Sequence, residues 1–84
     1  MEMDDADRCV LAYLNEHFAD PRPDAVNLGP LCRDTELDTE AVQLALDRLD
    51  QQGLIKVLRG IEEDPLPTNV TGITHRGRQA SQAL

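Results

Sequence analysis

Residues 38–54 constrain the fold of this chain more than any other stretch. Asp38 is a good N-cap, because its side chain can accept from first-turn amides that have no partner within the helix. Leu37, just before the cap, is placed to staple onto Val42. Val42, Ala45, Leu46 and Leu49 then recur at spacings of three and four, which draws one apolar stripe. Gly53 supplies the left-handed residue that ends such a helix, with Leu54 folding back toward Leu49. The spacing predicts a helix over 38–52, closed at both ends. Its stripe must be buried, so the rest of the chain has to build a core against it.

Two further helices are predicted ahead of it. Over 4–19, Ala6, Cys9, Val10, Tyr13, Leu14 and His17/Phe18 share one face. Asp4, Asp5 and Asp7 fall in the first turn, where carboxylates suit the positive end of the helix dipole. Pro21 and Pro23 stop this helix. A short helix over Leu28–Asp34 follows, with Asn27 as N-cap and Pro30 tolerated in the first turn. Leu28 and Leu31 face the core, and Cys32 joins or flanks them.

After Gly53 the periodicity changes. Leu54–Arg59 is rich in branched aliphatics and reads as a strand, and Val70–Ile73 as a second, shorter one. Between them lies a loop holding Glu62, Glu63, Asp64, Pro65 and Pro67, so the pair is a hairpin with a long tip. Thr74 can cap a last helix running to Leu84, whose face of Gly77, Ala80 and Leu84 suits close packing.

Composition narrows the class. With 84 residues, 40% of them apolar, the chain supports one core and one domain over 1–84. No run approaches the roughly 18 consecutive apolar residues of a membrane span. The acidic start, Met-Glu-Met-Asp-Asp, is unlike a secretory signal, and a cytoplasmic protein is expected. Cys9 and Cys32 form no CxxC and have no matching His pair, so reduced, partly buried thiols are expected rather than a disulfide scaffold or a zinc site. Sixteen acids against eight bases give a net charge of −8, and Lys56 is the one lysine. Such a surface is a solvated acidic coat, an adaptation to a salty, halophilic cytoplasm, or an acidic binding surface.

Helix, short helix, tight turn, helix and hairpin is the order of a winged helix-turn-helix, an α+β, mostly helical fold with a two-stranded wing and a C-terminal helix. Asn27-Leu-Gly-Pro-Leu31 resembles the first helix of the turn motif, and Leu37 its turn hydrophobe. Ala41 to Ile55 is similar to a recognition helix closing on Leu-x-x-x-Gly-Leu-Ile. Val70-Thr-Gly-Ile-Thr-His-Arg-Gly-Arg78 resembles the second wing strand and the entry to the last helix. The resemblance covers nearly the whole chain and is closest to small MarR- or PadR-like prokaryotic transcriptional regulators.

That resemblance implies a DNA-binding regulator, dimeric, with helix 38–52 in the major groove of double-stranded DNA. Opposite the core stripe this helix carries Thr39, Glu40, Gln43, Leu44, Asp47 and Arg48. Gln43 would bond an adenine edge, Thr39 a base or phosphate, and Arg48 a guanine or phosphate. Leu44 either covers extra core or offers an apolar contact to a thymine methyl or a protein. Lys56, Arg59 and Arg76 would meet phosphates, with Arg78 a further base near the hairpin.

Two departures favour a second reading. The helix carries Asp38, Glu40, Asp47 and Asp50 against Arg48 alone, and the wing tip carries Glu62, Glu63 and Asp64, all of which phosphates repel. An acidic winged helix that docks a protein through the wing acids or the Leu44 face is the alternative. No phosphate loop, nucleophile elbow or metal motif occurs, so neither an enzyme, a cofactor nor a metal is expected. His17 is expected to pack at the edge of the first helix.

Overall fold

The computed structural model describes residues 4–20, 23–59 and 67–83. Its elements run α1 (Asp5–His17), β1 (Val26–Asn27), α2 (Leu28–Thr35), α3 (Thr39–Gln51), β2 (Ile55–Arg59), β3 (Pro67–Ile73) and α4 (His75–Gln82). The three strands form one antiparallel sheet in the order β1-β3-β2. Pro21, the wing-tip acids Glu62, Glu63 and Asp64, and Leu84 lie outside the described residues.

Both ends of α3 form as their chemistry dictates. The Ala41 amide donates to the Asp38 carboxylate at 2.7 Å. At the other end Gly53 sits at φ 73, its amide donates to Asp50, and the Leu54 amide reaches back to the Leu49 carbonyl at 3.0 Å. Those two bonds are the paired carbonyl caps of a Schellman motif, and they send the chain directly into β2. Thr74 caps α4 in the expected way, accepting from the Gly77 amide at 3.0 Å.

The core is single. Val42, Ala45, Leu46 and Leu49 of α3 pack with Val10, Leu11 and Leu14 of α1, Leu31 of α2, and Leu54, Ile55 and Val70 around the sheet. Each leucine so buried contributes about 1.5–3 kcal/mol from leaving water.

The structure corrects five expectations. The wing hairpin carries a third strand, because Val26 and Asn27 pair with Val70 and Asn69. β3 starts at Pro67 rather than Val70, with irregular register opposite β2 that accommodates the extra residues. On α1, Leu11 is buried and Cys9 is exposed, so the buried face is rotated from the expected one toward Asp7, Leu11, Leu14 and Phe18. Asn27 occupies the N-cap position of α2, but its side chain makes no capping bond there. Leu44 does not cover extra core; it is 40% exposed.

Candidate nucleic-acid interface

The turn between α2 and α3 sets the outward face of α3. Glu36 ends α2 in the left-handed conformation at φ 59, which reverses the chain within a few residues. Half-buried Leu37 then anchors the turn on the core. With the apolar stripe turned inward, Thr39, Glu40 and Leu44 are exposed, while Gln43 and Asp47 are half-buried. Asp47 accepts a bond from Gln51 one turn on, at 2.9 Å. This face therefore presents a leucine between two carboxylates, with an amide on its flank.

Arg48 is drawn away from that face. Its Nε donates to both carboxylate oxygens of Asp7 at 3.1 Å, and its Nη2 donates to Oδ1 at 2.8 Å. Asp4 lies 3.5 Å from the same Nη2. Asp7 is 1% exposed, whereas the Arg48 side chain keeps 38% of its surface open. The hydrogen bonds to Asp7 raise the guanidinium above its ordinary pKa against the opposing cost of desolvation. A buried carboxylate with a two-pronged arginine on it was not anticipated from the residues singled out in the sequence. The signal was present, however: Asp7 is in helical phase with Leu11, Leu14 and Phe18.

The remaining bases divide into engaged and open ones. Arg78 donates to the Phe18 carbonyl at 2.8 Å, tying α4 to the end of α1. Arg33 lies 3.7 Å from Asp34, which also accepts from the Tyr13 hydroxyl at 3.0 Å. Lys56 is exposed on β2, its stem passing 3.8 Å from where a side chain on Gly72 would begin. Arg76 is exposed in the first turn of α4, with Nη1 3.7 Å from the corresponding point on Gly53. That contact places a cation beside the C-terminal end of α3, the negative end of its dipole. Arg59 ends β2, and its side chain is outside what the structure describes. The fold thus brings Lys56 and Arg76 to the elements that follow α3, and holds Arg48 against α1.

His17 and its neighbours make a separate cluster. Its ring stacks on Tyr13 at 6.3 Å, meets Phe18 edge-on at 4.9 Å, and its Nε2–H donates to the Asp24 carbonyl at 2.7 Å. These contacts tie the Asp24 backbone to the end of α1. Among the described residues no group of three His, Cys, Asp or Glu side chains is arranged to hold a metal ion, and no helix is long and apolar enough to cross a membrane.

No protein-family model and no curated protein sequence matches this chain. Solved structures do. A candidate DNA-binding protein from Ralstonia eutropha JMP134 superposes with a TM-score of 0.75 at 21% identity, over 98% of this chain and 96% of that one. MepR, a transcription regulator of the Staphylococcus aureus multidrug efflux pump MepA, gives 0.72 at 17% identity over 98% of this chain and 55% of its own. A Lactococcus lactis ZitR variant in complex with DNA gives 0.69 at 17% identity, over 96% of this chain and 49% of its own. ZitR is a zinc-responsive member of the MarR family. The chain spans nearly all of the first structure and about half the length of the other two.

Proposed function

Since the chain has the winged-helix fold of MarR-type regulators, we propose that it is a DNA-binding transcriptional regulator that lays α3 in the major groove. The observation that carries this reading is that 96% of this chain superposes on part of MepR and of ZitR, each solved in complex with DNA. Thr39, Gln43 and Leu44 would be the base-facing residues: Thr39 and Leu44 are exposed on α3, and Gln43 is half-buried beside them. Gln43 would take an adenine edge and Leu44 a thymine methyl. Lys56, Arg59 and Arg76 would take phosphates, while Arg48 holds α3 in place. Two copies on half-sites one helical turn apart are the arrangement expected on a symmetric operator.

Fluorescence anisotropy with a pool of genomic duplexes, titrated across salt, tests this directly. Saturable binding that weakens with salt and survives competition by random duplex supports it. No binding at low salt rules it out.

A second reading rests on a specific observation. Leu44 stands exposed between Glu40 and Asp47 on a helix whose one arginine is neutralised by Asp7. Such a face suits a polypeptide with an apolar side chain flanked by bases, and the wing acids Glu62, Glu63 and Asp64 are, by their charge, the other candidate contact for such a partner. Replacing Glu62 and Glu63 by Gln separates the two readings: a DNA binder gains affinity for every duplex, and a protein-docking module gains none.

A further inference from the structure

Between α1 and α3 the packing is almost wholly apolar: Val10, Leu11 and Leu14 against Val42, Ala45, Leu46 and Leu49. Apolar contact is non-directional, so it does not by itself single out one angle of roll for a helix resting on it. The Asp7–Arg48 pair is the opposite kind of contact. The planar guanidinium meets the carboxylate through three N–H···O contacts of 2.8–3.1 Å, which fixes both distance and angle. One partner lies in the first turn of α1 and the other near the end of α3, just beyond Gln43 and Leu44.

We infer that Asp7 and Arg48 are positioning residues that set the roll of α3, and through it the angle at which Gln43 and Leu44 are presented. The inference rests on the DNA-binding reading above and adds which residues govern selectivity. Three features support it. Asp7 is buried on the apolar face of α1, where a carboxylate is costly unless it is fully paired. The Nε–Nη2 edge of Arg48, the fork with which arginine reads guanine or grips a phosphate, is already filled by Asp7. With Asp4 and Asp47 also close enough to act on the guanidinium, the local charge is negative and does not favour a phosphate.

The experiment compares the ratio of affinities for a duplex selected from genomic fragments and for random duplex. It is run on the full chain and on Asp7→Asn, Arg48→Lys and Asp5→Asn, at a temperature where circular dichroism shows each variant folded. Asp5→Asn is the control: it removes the same charge from an exposed neighbouring position and leaves the pair intact. Asp7→Asn weakens the grip on Arg48, and Arg48→Lys replaces the planar fork with a single ammonium. In both, the selectivity ratio is expected to fall about tenfold, one base contact's worth of discrimination, with the salt slope unchanged from that of the control.

If Arg48→Lys keeps the ratio and Arg48→Ala makes the slope shallower by about 0.9, Arg48 is a phosphate contact and the inference is overturned. An unaltered ratio in Asp7→Asn overturns it too, with the DNA-binding reading left standing. If the parent chain selects no duplex at all, the DNA-binding reading fails and the inference falls with it.

Discussion

A Cβ placed on Gly77 would lie 2.0 Å from the carbonyl oxygen of Leu54. That oxygen also accepts the Thr74 amide at 3.0 Å, and the Thr74 hydroxyl lies 3.0 Å from it and 2.8 Å from the Gly53 carbonyl. The end of α3, the start of β2 and the first turn of α4 therefore meet at one peptide group. Because the obstructing atom is backbone, it cannot swing aside. Gly77→Ala is expected to cost about 3 kcal/mol or more, the upper part of the range for overpacking. Urea unfolding midpoints check it, and a midpoint equal to the parent's would mean that α4 packs elsewhere.

Glu36 carries the opposite kind of opportunity. Its left-handed conformation costs an L-residue roughly 1–2 kcal/mol, a cost that glycine does not bear. Part of the gain returns as extra entropy in the unfolded chain. Glu36→Gly should stabilise the fold by up to about 1 kcal/mol, read as a raised urea midpoint with the slope unchanged.

Tyr13 is the one tyrosine of the chain, so its ionisation can be followed by ultraviolet absorbance alone. Burial, and then the hydrogen bond to Asp34, raise its pKa above the ordinary 10.0. The folded state thus prefers the neutral phenol. This contribution to stability is whole below the ordinary tyrosine value and is lost as pH rises through the folded one. The absorbance midpoint should lie above that of the urea-unfolded chain. In Asp34→Asn it should fall part of the way back, since the Asp34 charge is lost while burial still raises the value and Arg33 still lowers it.

If the chain binds DNA as proposed, Lys56, Arg59 and Arg76 set the salt dependence. Contacts from Lys56, Arg59 and Arg76 predict a log-affinity against log-salt slope of about −2.7 per protomer, doubled for a pair of copies. Lys56→Ala should make it shallower by about 0.9 and weaken all duplexes alike. Gln43→Ala should leave the slope and lower discrimination by about 1–3 kcal/mol at one base position. A slope in Lys56→Ala equal to that of the parent would remove Lys56 from the contact set.

What was legible in the sequence was local. The Asp38 cap, the stripe from Val42 to Leu49, the Gly53 stop and the Thr74 cap each involve residues within one turn of one another, and all form as expected. Asp7 escaped because three aspartates in a first turn already have a sufficient reason in the helix dipole, while the partner of Asp7 lies on another helix. The two residues of β1 escaped for a related reason, since so short a strand exists only by virtue of the β3 edge beside it. Leu44 was placed on the correct face, but whether a neighbour covers it depends on how helices pack, which periodicity does not encode. The outward-facing set of α3 is thus readable from phase alone. Which arginine is available to it is decided by tertiary pairing.

Among the described residues β2 has a strand neighbour on one side only, and Leu58 on that edge strand is 57% exposed. Open peptide groups beside a bare leucine form a template on which another copy can add a strand. The shared charge of −8 opposes that edge-to-edge pairing, by a long-range repulsion rather than a shape. Acid removes that protection as the carboxylates protonate toward pH 4, and high salt screens it. The colloidal behaviour of this protein is therefore tied to the same aspartates and glutamates that flank Leu44 on α3, and any variant made more basic draws down its own resistance to edge-to-edge clumping.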